Sequence, residues 1–597
     1  MALISMKSSI FSFHPKFAST KAELSGRSSS FKLYSQPTAD KWIITEKGPS
    51  APLRNFVSCG NLRVISIYST PRVFWSFSVL ITFFHGRITS CDNLEGELKL
   101  YKNVLKNVGE HSVKGLYMVD AMQRLNIDYH FQEEIDEFLA TQRTIFSTYG
   151  SGYDHDDLHQ VSLLFRLLRQ QGYSVPAEVF EKFTAKEGKF SDKVSAYVKG
   201  MTELYEASQL RMPGEAILDE AEQFSEKMLK EISAYIGVDK AEFVRSTLEQ
   251  PFHKSLPIFT SRNLFQGTHG MNGWLKSLQD LAKMNFNMLQ SAYEMEILQI
   301  SKWWTERGLA NELKYARNQP LKWYIWSLGC LADPSFSEER VELTKPISFV
   351  YLIDDIFNIY GTIEEPTHFT KAVIRWDIEA AEELPDYMKI CFKALHDLTN
   401  EISYKVYPKH GWDPSSSLRK AWGSLCEVFL IEAEWFASGK IRSAEEYSKN
   451  GILSSGVQIV LVHIFFLVGQ GITNESVLKI DNTPTIISSA PTILRLWDDL
   501  GSAEDENQEG KDGSYMECVK KERRNKEMAR KLVRAKISDA WKSLNREFIM
   551  DNSFSSNQES ILNLARMVPL MYSYDHKQCL PKLEAEVKSL LYDKLPL

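Results

Sequence analysis

Two adjacent carboxylates interrupt an otherwise apolar run, Tyr351-Leu352-Ile353-Asp354-Asp355-Ile356-Phe357-Asn358-Ile359-Tyr360-Gly361. On a helix, Asp354 and Asn358 share one face four residues apart, while Asp355 points about 100° away. Burying carboxylates without partners is costly, so either this face meets cations or the segment is a frayed helix end before Gly361. A second acidic set follows far downstream. Asp498, Ser502 and Glu506 recur every four residues and give one helix face a carboxylate, a hydroxyl and a carboxylate, a hard-oxygen set suited to Mg²⁺. Taken alone, such a face is solvated surface, but Ile493, Leu494, Leu496 and Trp497 lead into it and favour burial. The third element is Arg317, within Tyr315-Ala316-Arg317-Asn318-Gln319-Pro320; the fourth is Arg495, one turn before Asp498. Guanidinium groups beside metal-bound carboxylates grip phosphate oxygens bidentately, although either arginine alone reads as a surface ion pair.

Together these groups describe a ligand. Two acidic faces repel a diphosphate unless bridging Mg²⁺ ions reverse the sign of the site. Trp323, Trp326, Phe349, Tyr351 and Phe357 lie near the same motifs. Each is ordinary core packing by itself; as a set, their faces contact hydrocarbon and stabilise a carbocation.

Long helices must carry these residues. Apolar residues recur at i, i+3 and i+4 through most of the chain, as in Leu163, Leu164, Leu167 and Leu168 with Arg166 and Arg169 beside them and Gly172 as a stop. The pattern continues over Phe180–Tyr197 and Ile217–Ile236, then over Met284–Trp304, Leu321–Ala332, Glu338–Tyr360 and Ala421–Phe436. Pro346 is expected to kink or restart the helix about two turns before Asp354. The fold class is all-α. Glycine, threonine, histidine and asparagine gather at 267–273, which divides an N-terminal helical domain, 92–270, from a C-terminal metal-binding helical domain, 271–597. No fixed-period repeat is visible, which disfavours a solenoid.

Composition narrows the class further. A chain of 597 residues with 43% hydrophobic and 25% charged content is globular. Its formal charge of −7 is spread out without a long basic block, which argues against a nucleic-acid partner. The seven cysteines form no CxxC pair, so neither a disulfide framework nor a zinc knuckle is indicated, and a reducing compartment fits. The first 38 residues hold ten serines and five Lys/Arg against one acid, a composition that suits an organelle transit peptide in a leader and linker over 1–50. Val73–Phe84 and Val457–Gly469 are too short to span a bilayer. Residues 51–91 form an anomalous segment, β-branched and aromatic with little helical period.

From about Asp92 onward, roughly five-sixths of its length, the chain resembles plant class I terpene synthases. Carried to matching positions, the aspartate-rich motif falls on Asp354, Asp355 and Asn358, the second metal motif on Asp498, Ser502 and Glu506, and the arginine motif on Arg317. The resemblance implies an α-bundle of the class I terpenoid synthase type, an α/α-barrel-like N-terminal domain and a monomer. It implies three Mg²⁺ ions, with Mn²⁺ as an alternative, and a prenyl diphosphate substrate. Trp326 would line the pocket, the break at Ser454-Ser455-Gly456 would turn carbonyls toward a cation, and Tyr572 or Tyr574 with Asp575 would form a lid pair.

Three departures shape the expectation. Asn358 stands where the family has Asp, keeping an oxygen ligand while losing a charge. Gln319 replaces the second arginine of the arginine motif and removes a diphosphate contact. The N-terminal tandem arginine of cyclising monoterpene synthases is absent, since the only Arg-Arg is Arg523-Arg524. That absence, with Leu494-Arg495-Leu496-Trp497-Asp498-Asp499-Leu500-Gly501-Ser502, is similar to the linalool and nerolidol synthase branch. The resemblance therefore implies geranyl diphosphate converted to linalool in a plastid, with farnesyl diphosphate to nerolidol, a cytosolic location or a catalytically impaired homologue as alternatives. A chain-elongating prenyltransferase is disfavoured, because it would carry a second aspartate-rich motif. Val57–Cys91 does not resemble the family and reads as a retained intron or variant exon. Asp154-His155-Asp156-Asp157 matches the DxDD pattern of class II cyclases but reads as an acidic helix cap.

Overall fold

The computed structural model describes residues 33–34, 43–44, 94–109, 112–149, 157–185, 189–190, 198–266, 273–314, 316–359, 363–438, 442–482, 488–502, 514–523, 525–550, 558–574 and 579–595. By internal contacts the chain forms two units. Within Ser8–Arg72, Leu33–Tyr34 and Ile43–Ile44 pair as a short antiparallel ribbon. The other unit, which includes Val73–Leu597, is helical among its described residues, as the all-α expectation requires. The anomalous segment from Val57 to Cys91 and residues 267–272, where the domain boundary was expected, lie outside the described residues.

The N-terminal half is built on α1 (Leu158–Gln170), which packs on α2 (Val198–Ser208), which in turn packs on α3 (Ala216–Ser233). Asp157 caps α1, its carboxylate accepting from the backbone N–H of His159 at 2.9 Å. The cap reading therefore holds for Asp157; Asp154, His155 and Asp156 lie outside the described residues. Gly172 ends the helix with φ +80, a conformation glycine adopts without strain. Arg166 and Arg169, expected beside the apolar stripe, are buried within it. Arg166 pairs with Asp120 at 2.5 Å and with Glu203, and Arg169 pairs with Glu215. Phe180–Tyr197 does not continue as one helix. A 3-10 turn over Ala177–Phe183 follows Pro176, and Thr184 then bridges to Phe190, so the buried phenylalanines reach the core from a turn and a bridge.

The C-terminal half contains α4 (Gly273–Arg307), α5 (Pro320–Cys330), α6 (Ser337–Ile359), α7 (Ser415–Ala437), α8 (Ala444–Ser454), α9 (Val457–Val468), α10 (Ser489–Ser502), α11 (Lys526–Met550) and α12 (Gln558–Met571). Pro320 opens α5, where its missing N–H costs nothing. α6 runs through Pro346 without restarting, so of the two expected outcomes the restart does not occur. The helix packs on α5, α7 and α9, and this burial outweighs the lost backbone bond. A buried Glu296 locks α4, α5 and α6 together, meeting Arg340 at 2.7 Å and accepting from the Tyr324 hydroxyl at 2.9 Å.

Specific bonds also join the two halves. Asn545 on α11 donates to the carbonyls of Gln209 and Arg211, both at 2.9 Å, and Arg566 on α12 donates to the His253 carbonyl at 2.8 Å. Taken together, Ala444–Val468 has the length and apolarity of a membrane span, which Val457–Gly469 alone was expected to lack. Two-thirds of its most apolar window is buried (67%), and α9 packs on α6 and α7, as a core helix does. Cys330, Cys391, Cys426 and Cys518 are buried free thiols, and Cys579 is disulfide-bonded, short of a framework.

Candidate active site

α5, α6, the α8–α9 junction, α10 and the end of α12 enclose an apolar cavity. Its wall includes Trp326, Tyr351, Asp354, Phe429, Arg495, Asp498 and Tyr572, together with Ser454, Ser455 and Gly456. The two acidic motifs, remote in sequence, thus present one carboxylate each to the same space. Apolar atoms make up most of the exposed lining of the cavity.

Local sequence explains each wall. On α6 the run that holds Asp354 and Asp355 is largely apolar, which buries the helix and carries both carboxylates inward with it; each is 3% exposed. Their partner is Arg317. Its guanidinium pairs with Asp354, lies 2.7 Å from Asp355 as an ion pair, and stacks 4.8 Å from the Tyr351 ring centroid. The Arg317 backbone N–H also donates to Asp355 at 2.6 Å. Burial pushes the Asp355 carboxyl up to about 6 despite that arginine, whereas burial of the Arg317 guanidinium is overcome by the two carboxylates, which raise its pKa. Asp355, expected to turn about 100° from Asp354, faces Arg317 and is absent from the cavity wall. Asn358 donates its amide to Asp354 Oδ1 at 2.8 Å.

On α10, burial raises the Asp498 carboxyl, with Arg495 opposing. Arg495 itself is held beneath the cavity: its Nε donates to the Tyr447 hydroxyl at 2.8 Å and lies 3.8 Å from Asp499, and Glu432 is 3.6 Å from its Nη2. Tyr447 in turn donates to Asp499 at 2.9 Å, and burial pushes Asp499 up to about 7. Glu432 accepts from Asn450 and Ser454, so the helix break and the arginine share one buried carboxylate.

The expected break between α8 and α9 exists. Gly456 takes φ +73, and a Cβ there would meet Val350 Cγ1 at 2.6 Å, so only glycine fits against α6. Trp326 lines the cavity and donates to the Tyr351 hydroxyl at 3.0 Å. Tyr572 lines it as well; its ring is 6.2 Å from Trp326 and 6.4 Å from Tyr574. Gly501 lets this tyrosine segment approach α10, since a Cβ would meet the Tyr574 ring at 2.8 Å. Glu506, Asp575 and the Ser502 side chain lie outside the described residues.

Sequence reasoning passed over Glu432, Tyr447, Asp499 and Lys322. The signal for Lys322 was its place three residues after Gln319, on the same face of the first turn of α5. Tyr447 and Glu432 left none, because their partners come from other helices.

The donors suit a hard divalent cation. Asp354 and Asp498 offer carboxylate oxygens at the buried cavity wall, with the Asn358 amide bonded to Asp354 beside them, and burial disfavours the charged form of Asp498, which a cation would favour. Among the described residues no three His, Cys, Asp or Glu side chains form one cluster.

Residues 83–248 match the family described as terpene synthase, N-terminal domain, and residues 305–543 match the terpene synthase family, metal binding domain. An (E)-nerolidol synthase from Cannabis sativa is 49% identical, the match covering 83% of this chain and 91% of that one. An S-(+)-linalool synthase, chloroplastic, from Arabidopsis thaliana is 46% identical over 85% of this chain and 89% of its own. A tricyclene synthase, chloroplastic, from Antirrhinum majus is also 46% identical, over 84% and 87%. Among solved structures, isoprene synthase from grey poplar, in complex with three Mg²⁺ ions and dimethylallyl-S-thiolodiphosphate, superposes with a TM-score of 0.78 at 33% identity, covering 85% of this chain and 97% of that one.

Proposed function

The chain belongs to the terpene synthase family, and from that premise we propose that it ionises geranyl diphosphate and adds water to the cation to give the acyclic tertiary alcohol linalool. The observation that carries this reading is the convergence of Asp354 and Asp498 on one aromatic cavity flanked by Arg317 and Arg495. Asp354, Asn358, Asp498, Ser502 and Glu506 would hold Mg²⁺, or Mn²⁺, three ions being bound in the poplar complex, while Asp355, turned to Arg317, would support that set from behind. When bound, the metal supplies Lewis-acid neutralisation of the departing diphosphate.

Every other role falls to the chain. Arg317 and Arg495 take diphosphate oxygens as negative charge collects there, and this preorganised stabilisation provides most of the acceleration. The allylic C–O bond breaks with both electrons leaving on diphosphate. Trp326, Tyr351, Phe429 and Tyr572 offer aromatic faces to the resulting cation. Water then adds at the tertiary carbon and loses a proton, and Tyr572 with Asp575 would close the site from the lid. A plastid is the proposed compartment, supported by the serine-rich basic leader and by relatives whose names carry the word chloroplastic.

A second reading, farnesyl diphosphate to nerolidol, is favoured by the 49% identical nerolidol synthase. Incubating the full chain with Mg²⁺ and each diphosphate separately, followed by gas chromatography of the volatiles, separates the two. Linalool from the ten-carbon substrate at the higher kcat/KM supports the first reading, and nerolidol at the higher value replaces it. A cyclic major product defeats the acyclic assignment, and no volatile from either substrate leaves an impaired homologue.

A further inference from the structure

Gln319 brings an amide where the arginine motif that the chain resembles has a second guanidinium, and its carbonyl Oε1 is buried with no hydrogen-bond partner among the described residues. One turn further along α5 stands Lys322. Its ammonium lies 6.0 Å from the centroid of the Tyr351 ring, the ring that Arg317 covers at 4.8 Å, and 5.7 Å from the Tyr574 ring. Its hydrogen bond is to the Tyr574 hydroxyl at 3.3 Å. Among the described residues no carboxylate lies within ion-pair distance of it, although Asp354 and Asp498 line the neighbouring cavity. Trp326, one turn beyond Lys322 on the same helix, is part of that cavity wall.

A lysine placed this way is costly. Burial, with Arg317 nearby as a second cause, brings its pKa down to about 8, and a packing role would be served by an uncharged side chain. The two tyrosine faces reduce the cost only partly, because cation–π contact replaces a hydration shell incompletely. What would repay the cost is an anion delivered with the substrate.

We propose that Lys322 is a diphosphate-binding residue, supplying from the first turn of α5 the cation that Gln319 does not. Arg317 and Lys322, at 4.8 and 6.0 Å from the same Tyr351 ring centroid, then form a two-cation grip, with the Tyr574 hydroxyl accepting from the ammonium. The inference rests on the prenyl diphosphate reading but concerns only the anionic half of the ligand.

The test is calorimetric titration of the full chain with inorganic diphosphate in the presence of Mg²⁺. Lys322→Gln is expected to weaken binding on the order of tenfold, the loss of one charge-assisted hydrogen bond. Lys322→Arg should stay within about threefold of the native chain, and the double variant Gln319→Arg/Lys322→Gln should regain most of the affinity, which a packing role would not produce. If Lys322→Gln shows no cooperative thermal unfolding, Lys322→Met, which keeps the stem between the two rings, takes its place. Affinity of the uncharged variant equal to that of the native chain overturns the proposal, and so does a folded double variant that binds no better than Lys322→Gln. A native chain that binds diphosphate through Lys322 but releases no volatile would sink the synthase reading and leave this one standing. One that makes linalool with Lys322→Gln unaffected would do the reverse.

Discussion

Asn358 donates its side-chain amide to Asp354 Oδ1 at 2.8 Å, so the residue that lowers the charge of the aspartate-rich motif also holds the motif's leading carboxylate in place. An aspartate at 358 would give up that bond and set a like charge beside Asp354. Asn358→Asp should therefore melt lower than the native chain in chelator, by a few degrees or less for a chain of this size. It should gain more from added Mg²⁺ and reach half-maximal turnover at a lower Mg²⁺ concentration. Thermal scans with and without Mg²⁺, alongside a Mg²⁺ titration of product formation, check both halves; identical Mg²⁺ curves for the two proteins would contradict the role given to the missing charge.

Tyr447 accepts from Arg495 and donates to Asp499 through a single hydroxyl. Removing it in Tyr447→Phe leaves two buried charged groups each short of a partner, a loss of about 1–3 kcal/mol for each such group. Because Arg495 reaches the cavity wall from this network, kcat/KM should fall on the order of tenfold. Steady-state kinetics measures this, and native kinetics from a folded Tyr447→Phe protein would show that Arg495 holds its position without the hydroxyl.

Gly456 combines φ +73 with a Val350 methyl 2.6 Å from where a Cβ would stand. Gly456→Ala meets both penalties, the left-handed backbone costing about 1–2 kcal/mol before any clash. Relief by shifting α9 against α6 would move the cavity wall. The expected result is a lower melting temperature together with a changed product distribution, read by calorimetry and by gas chromatography of the volatiles.

His463 is fully buried on α9, its Nδ1 donating to the Ile459 carbonyl at 2.7 Å, and burial pulls its pKa down to about 4. The folded state therefore binds this proton less readily than the unfolded state, whose histidine titrates near 6.5. Stability from the neutral imidazole is complete above about pH 6.5 and is lost as pH falls toward 4, by roughly 3 kcal/mol at most. His463→Phe should flatten that part of the stability profile, and denaturant titrations at pH 7, 5.5 and 4 show whether the slope changes.

Much of the site was legible because its chemistry is periodic. The spacing of Asp354 and Asn358, the apolar approach to Asp498 and the glycine at 456 are local properties of single helices, and α5, α6, α7 and α10 form where that periodicity places them. No restart occurs at Pro346, because a local rule about a missing donor says nothing of the burial that carries α6 through it. Phe180–Tyr197 misled because apolar spacing alone does not distinguish a helix from a turn and a bridge that bury the same rings.

By itself the sequence determined the helical class, the two acidic faces and the arginines that answer them, because side-chain type and helical period are fixed along the chain. Only the tertiary structure decided that Asp355 turns to Arg317 while Asp354 meets the cavity, that Glu432 and Tyr447 hold Arg495, and that Lys322 and Arg317 both approach the Tyr351 ring. Each of these depends on which helices pack together, and the strength of a buried charge is set by neighbours that no local spacing records.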